Sequence, residues 1–172
     1  LSSLVEATGG GCAFLDYDND GRLDIFLVNG VHLPGLSDPQ TPNAGALKTA
    51  TSRLFRNRGD GTFADVTQPA GILPGGYDIG VVVGDYDNDG DPDIYQTCYG
   101  PNRLYRNNGN GTFTEVAQEA GVDDPRFSVG AVFLDYDRDG DLDLFVGNYV
   151  QYDDPYNRKH GTADHFPGPL SY

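Results

Sequence analysis

The sequence predicts an all-β fold of the β-propeller type, with two four-stranded blades and a partial third in an incomplete or open propeller. Three observations lead to this prediction. An acidic segment occurs three times, a second segment occurs twice, and the apolar runs inside both have the length of short strands. Four short strands in a unit of about 50 residues, packed face to face with neighbouring units, is the arrangement of a propeller blade.

The repeats define the expected domain organisation. The acidic segment covers 9–30, 78–100 and 128–150, and the second segment covers 53–72 and 103–122. Successive copies start 50 residues apart, except that the first two acidic segments start 69 residues apart. The extra residues lie in 31–52, whose Pro, Gly, Ser and Thr content is typical of a surface loop. We therefore expect one repeat domain over 1–172, divided into blade 1 (9–72, with the inserted loop 31–52), blade 2 (78–122) and a partial blade 3 (128–172) with a divergent tail.

Each repeat is expected to consist of strands and tight turns. The runs that follow the acidic loops, such as DIFLV and DLFVG, are apolar on both faces, so neighbours should cover both sides of these strands. The segment RLYRNNGNGTFTEV is typical of a β-hairpin around an Asn/Gly-rich turn. A single helical turn is expected at 118–121, between blades.

Composition argues against nucleic-acid binding and against a membrane-spanning segment. The 172 residues contain 26 Asp and Glu against 11 Lys and Arg, a net charge of −15 at pH 7, so the basic patch that nucleic-acid binding requires is missing. No run of 18 apolar residues is present, and no membrane span is expected. The chain has no Met and begins at Leu1, which fits a processed, secreted chain or a fragment.

The acidic loops are candidate metal sites. Each has the pattern D-x-D-x-D-G-x-x-D, and closely spaced carboxylates repel one another unless a cation gathers them. Oxygen ligands at positions 1, 3, 5 and 9, a glycine at 6 and a backbone carbonyl at 7 suit Ca²⁺, and about three Ca²⁺ are expected. The carbonyl ligands would be those of Arg22, Asp91 and Asp141. The candidate carboxylate ligands are Asp16, Asp18, Asp20 and Asp24 in loop 1, Asp85, Asp87, Asp89 and Asp93 in loop 2, and Asp135, Asp137, Asp139 and Asp143 in loop 3.

Two alternative metal sites fit the pattern less well. An EF-hand loop requires a bidentate Glu at position 12 and flanking helices. Position 12 is Leu27, Gln96 or Val146 here, and the flanking segments are strand-like. Mg²⁺ is disfavoured because it gives up its water ligands reluctantly and is rarely held in an all-protein cage.

These motifs resemble the FG-GAP/VCBS repeat family, whose calcium loops also occur in integrin α-subunit propellers. More closely, GGGCAFLDYDNDG, RLYRNNGNGTFTEVAQEAGV and DYDRDGDLDLFVGNYV are similar to the N-terminal part of ASPIC/UnbV-type (cartilage acidic protein-like) proteins. The resemblance covers 9–30 and 53–155. It implies a secreted or surface β-propeller with calcium in the blade loops that acts in binding or adhesion rather than catalysis.

Two functional hypotheses follow. The first is a non-enzymatic, calcium-binding extracellular repeat protein that serves as an adhesion or self-assembly scaffold, with copies of itself, another surface protein or a glycan as partner. The second is a fragment of a larger propeller protein whose carbohydrate-binding or enzymatic groups lie outside this chain. No nucleophile–base pattern and no phosphate-binding glycine motif occurs in the sequence.

Weaker signals concern single motifs. Arg58-Gly59-Asp60 is an RGD tripeptide at a predicted hairpin tip, but Asn108-Gly109-Asn110 stands at the same place in the second repeat, so turn chemistry explains it. Asn110 also begins a glycosylation sequon, NGT. Cys12 and Cys98 either pair or are two buried thiols. His160 and His165 stand near Asp153, Asp154 and Asp164 in the tail, where loop polarity is the simpler interpretation.

Overall fold

The computed structural model describes residues 10–30 and 51–149, and these form three antiparallel sheets. Most of the predicted loop 31–52, the tail after Tyr149 and the histidines in that tail lie outside the described residues. The strands are β1 (Cys12–Leu15), β2 (Asp24–Leu27), β3 (Arg53–Asn57), β4 (Phe63–Asp65), β5 (Tyr77–Gly84), β6 (Asp93–Tyr99), β7 (Arg103–Asn107), β8 (Phe113–Glu115), β9 (Ser128–Leu134) and β10 (Asp143–Asn148).

The sheets confirm the predicted blades. Strands β1 to β4 pair in sequence order as blade 1, and β5 to β8 pair in the same order as blade 2. Strands β9 and β10 form a two-stranded sheet, the described part of blade 3. The acidic loops connect the first and second strand of each blade, and the two RL segments form the hairpins β3–β4 and β7–β8.

A short helix, α1 (Ala117–Ala120), follows blade 2 and begins one residue before the predicted turn at 118–121. It ends because Gly121 adopts a left-handed conformation with φ of 71°, and its N–H bonds back to Ala117 and Gln118 carbonyls. Among the described residues, no helix is long and apolar enough to cross a membrane.

The blades are held together by apolar cores between their faces. Between blades 1 and 2, Leu15, Tyr17 and Phe26 from blade 1 pack in one cluster with Ile94 and Tyr105 from blade 2. A second cluster joins blade 2 to blade 3, where Tyr95 and Leu104 pack against half-buried residues of β9 and β10. Burial of such apolar surface is the main favourable term in folding, so these two interfaces hold the stack together.

Strand β6 is covered on both sides, as the sequence predicts. Ile94 faces blade 1 and Tyr95 faces blade 3, and both are completely buried. Among the described residues, the corresponding strands β2 and β10 are covered on one side only, so the expectation that neighbours cover both sides of DIFLV and DLFVG is not met there. Leu27 in β2 and Phe145 in β10 are exposed.

The two cysteines match neither alternative considered from the sequence. Both are free thiols, Cys12 exposed and Cys98 buried. Cys12 lies on the side of β1 that faces away from blade 2, whereas Cys98 lies in β6 beside Asp78. Pairing is therefore absent because the two residues belong to different blades and have different environments.

Candidate metal centres

The three acidic loops share one hydrogen-bond frame. In loop 1, the first carboxylate, Asp16, accepts bonds from the backbone N–H groups of Asp20 and Gly21 at 3.0 and 2.8 Å. Asp85 does the same in loop 2, and Asp135 in loop 3. The loops therefore fold the same way in all three blades, because the same residue types stand at the same positions.

Left-handed backbone at two positions turns each loop. Position 4 has a positive φ in all three loops, 54° at Asn19, 59° at Asn88 and 65° at Arg138. The glycine at position 6 also has a positive φ, as the sequence predicts, for example 81° at Gly21. Asparagine tolerates this conformation better than most residues, whereas arginine is a less usual choice.

The carboxylate at position 9 is anchored to the blade. Asp24 accepts backbone N–H bonds from Asn57 at 2.7 Å and Tyr17 at 3.2 Å, one on each oxygen. Asp93 repeats this pattern with Asn107 and Tyr86. Both aspartates are completely buried, and burial raises the pKa of Asp93 to about 6 despite these hydrogen bonds. A nearby cation would favour the ionised form of such a buried carboxyl.

The loops gather three carboxylates each. One oxygen from each of positions 1, 3 and 9 lies within 4.8 Å of the other two in every loop. The groups are Asp16, Asp18 and Asp24; Asp85, Asp87 and Asp93; and Asp135, Asp137 and Asp143. Each group could hold a metal ion through hard oxygen ligands, which suit Ca²⁺ or Mg²⁺ rather than a thiophilic metal.

One atom supports this fit directly. Asp18 Oδ1 is buried and accepts no hydrogen bond from the described residues. A buried, unpaired carboxylate oxygen is costly unless a donor or a cation reaches it. It belongs to the three-carboxylate group of loop 1, so a bound cation would satisfy it.

The residues at positions 5 and 7 are not part of these groups. Asp20, Asp89 and Asp139 at position 5 instead accept the backbone N–H of position 7, at 3.0, 2.9 and 2.9 Å. Their role as ligands, and that of the carbonyls of Arg22, Asp91 and Asp141, stays a prediction.

Loop 1 differs from loop 2 because guanidinium groups form direct ion pairs with its carboxylates, whereas Arg106, the counterpart of Arg56, acts on Asp87 only through its charge. Arg56 forms ion pairs with Asp18 at 2.6 Å and with Asp20 at 3.2 Å, and Arg22 also pairs with Asp20. These cations neutralise part of the loop's charge, so loop 1 is expected to bind a divalent ion less tightly than loop 2.

Sequence reasoning missed the contacts between neighbouring loops. The side-chain amide of Asn19 donates to Asp91 of the next loop, and Asn88 donates to Asp141 at 2.7 Å. Position 4 of one loop thus bonds position 7 of the next. The signal in the sequence is the paired occurrence of Asn at position 4 and Asp at position 7 one repeat later.

The hairpin tips have the turn chemistry expected from the sequence. Asp60 of the RGD tripeptide accepts hydrogen bonds from the backbone N–H and hydroxyl of Thr62, at 2.9 and 2.6 Å. Asn110 makes the same two bonds with Thr112, at 3.1 and 2.6 Å. Both tips are exposed. Glycosylation of Asn110 stays a prediction.

The fold and the loops define a repeat protein of the β-propeller type with candidate metal centres in its blades. A family model described as FG-GAP-like repeat matches residues 16–96 and 94–146. The chain belongs to this FG-GAP-like repeat family. No curated protein shows significant similarity to it.

Proposed function

We propose that the chain binds about three Ca²⁺ and acts as a non-enzymatic scaffold outside the cell, in adhesion or self-assembly. The observation that carries the calcium proposal is the threefold occurrence of three carboxylates in one hydrogen-bond frame. Membership of a family whose repeats often bind Ca²⁺ supports the choice of ion.

The ligands would be the carboxylates at positions 1, 3 and 9, completed by position 5 and the carbonyl of position 7. Calcium accepts six to eight oxygen ligands in flexible geometry, whereas Mg²⁺ requires a near-ideal octahedron and keeps several waters. A bound ion would hold together carboxylates that otherwise repel one another. Three ions would reduce the net charge from −15 to about −9.

The scaffold role is supported by what the loops and sheets do in the described residues. Each loop lies between two strands of a blade, and loops 1 and 2 each contact the loop of the next blade. Ions there would stabilise blades and their contacts rather than act on a substrate. An extracellular location fits this role, because millimolar calcium occupies about half or more of sites whose dissociation constants are about 10⁻⁴–10⁻³ M.

Calorimetric titration and thermal unfolding test the calcium proposal. We expect about three sites, and each should add roughly 0.5–1.5 kcal/mol of stability at millimolar Ca²⁺. Asp87→Ala should remove one site and leave two. Asp60→Asn, which removes a carboxylate outside the loops, is the matched control and should keep all three. A melting temperature that EDTA leaves unchanged would contradict the proposal.

A further inference from the structure

We propose that two copies of this chain bind head to tail, through the exposed side of blade 3 in one copy and the exposed side of blade 1 in the next. This assembly rests on the scaffold function proposed above and names its partner as a second copy. We name the two surfaces by their blade numbers. The first outer face is the side of blade 1 that faces away from blade 2, and the third outer face is the side of blade 3 that faces away from blade 2. The first consists of Cys12, Phe14, Ile25, Leu27, Phe55 and Phe63, and the third of Val132, Leu134, Tyr136 and Phe145.

The first outer face repeats a surface that is already an interface. Its residues Ile25, Phe55 and Phe63 correspond by repeat position to Ile94, Tyr105 and Phe113 in blade 2. Those three are buried in the core cluster against blade 1. On blade 1 the same positions have no such neighbour among the described residues. Phe63 is 41% exposed there, Ile25 and Phe55 are half-buried, and Phe14 on the same side is 61% exposed.

The third outer face repeats the other half of that interface. Leu15, Tyr17 and Phe26 of blade 1, which pack against blade 2, are 3, 5 and 0% exposed. Their counterparts in blade 3 are Leu134, Tyr136 and Phe145, with the same residue type at each position. These are 39, 81 and 67% exposed.

The two outer faces are therefore the two halves of the contact between blades 1 and 2. Blade 3 offers the leucine, tyrosine and phenylalanine that blade 1 offers to blade 2. On its outer side, blade 1 has isoleucine and aromatic residues at the same repeat positions where blade 2 has isoleucine and aromatic residues on the side that faces blade 1. Because the halves differ, the contact is heterologous, and it continues until the ring closes or a filament forms.

The charges of the acidic loops at the contact between copies differ from those at the contacts within the chain. Within the chain, Asn at position 4 bonds Asp at position 7 of the next loop. At the junction between copies, position 4 is Arg138 and position 7 is Arg22. Two like charges there weaken the contact, so Arg22→Asp, which recreates the acidic residue of the other two loops, should strengthen it.

Sedimentation velocity of the full 172-residue chain, in Ca²⁺ and in EDTA, tests the assembly. We expect association that grows with concentration up to about 100 μM, a range accessible to modest interfaces. Phe145→Glu and Phe14→Glu should each weaken it at least tenfold, since buried aromatic residues dominate most interfaces. Arg22→Asp should tighten it about fivefold. Leu73→Glu, an exposed apolar position outside both faces, is the control and should change nothing.

Mixing the two face variants gives the sharpest test. A Phe14→Glu copy keeps its third outer face, and a Phe145→Glu copy keeps its first. Together they should form a capped pair of twice 18.5 kDa and nothing larger. A monomer at all concentrations in both buffers would overturn head-to-tail binding, as would association that neither variant weakens, which would place the contact elsewhere. Association that persists while calorimetry detects no calcium would overturn only the calcium proposal.

Discussion

The side-chain amide of Asn107 donates a hydrogen bond of 2.9 Å to the backbone carbonyl of Tyr17, which joins the hairpin of blade 2 to the acidic loop of blade 1. The same amide donates to Pro92 within its own blade at 3.2 Å. Asn107 is almost completely buried. The Asn107 side chain thus bonds both to the acidic loop of blade 1 and to its own blade.

Replacing Asn107 should therefore destabilise the chain. Asn107→Ala leaves the buried carbonyl of Tyr17 without its donor, and an unsatisfied buried polar group costs about 1–3 kcal/mol. The repeat supplies a matched control, because Asn57 stands at the same position in blade 1 and bonds Leu23 of its own blade. Urea denaturation should show a clearly smaller loss for Asn57→Ala. Equal losses would contradict a role for the contact between blades.

Acid should remove the stabilisation that the Asp124 carboxylate gives to the segment after blade 2. Hydrogen bonds from Arg126 and Asn148 hold the pKa of Asp124 well below its usual range. Because the folded-state pKa lies below the unfolded value of about 3.9, the stabilisation is present above that pH and is lost as the pH falls toward the folded-state pKa. Asp124→Asn should lower stability at pH 7, and the gap from the unmodified protein should narrow below pH 4. Unfolding experiments in EDTA at several pH values measure this difference in stability. A difference that does not change with pH would contradict the role of Asp124.

The two thiols should react at very different rates. Cys12 is exposed, whereas Cys98 is buried, and burial together with the nearby Asp78 carboxylate raises the pKa of its thiol. The thiolate is the reactive form, so an alkylating reagent should modify Cys12 and spare Cys98 in the folded protein. Mass spectrometry after tryptic digestion locates the label, and unfolding in urea should expose both. Rapid labelling of Cys98 in the native protein would contradict its burial.

The RGD tripeptide should prove to be a turn. Asp60→Asn reproduces the residue that stands at the same place in the second hairpin and keeps an acceptor for Thr62. Thermal unfolding and binding to any partner should stay unchanged. Loss of cell adhesion on this single change would instead assign the tripeptide a recognition role.

Local features of this molecule could be predicted from the sequence because they repeat. The acidic loops and the hairpins follow from short patterns that occur two or three times, whereas the same apolar pattern in DIFLV and DLFVG does not give β2 and β10 the two-sided burial of β6 among the described residues. Turn chemistry at Gly21 or Asn110 involves only neighbouring residues, so the pattern contains the whole cause.

Contacts between blades were harder to predict because they depend on packing. Ser52 donates to the buried Asp78 at 2.7 Å, and Asn102 donates to Ser128 at 2.9 Å one repeat later. Both pairs join the residue before an RL strand to the first strand of the next blade, 26 residues away. The residue types differ between the repeats, so no shared motif marks the link, and only the folded stack brings these positions together.

The burial of β6 on both sides determines the order in which the stack opens. Local unfolding of blade 1 or blade 3 breaks one interface, whereas unfolding of blade 2 breaks both at once. In a linear array whose units touch only their neighbours, the end units therefore open first and the middle unit opens only with global unfolding. Amide hydrogens of Ile94 and Tyr95 should be the slowest to exchange with solvent, and those of β1 and β10 should exchange orders of magnitude faster.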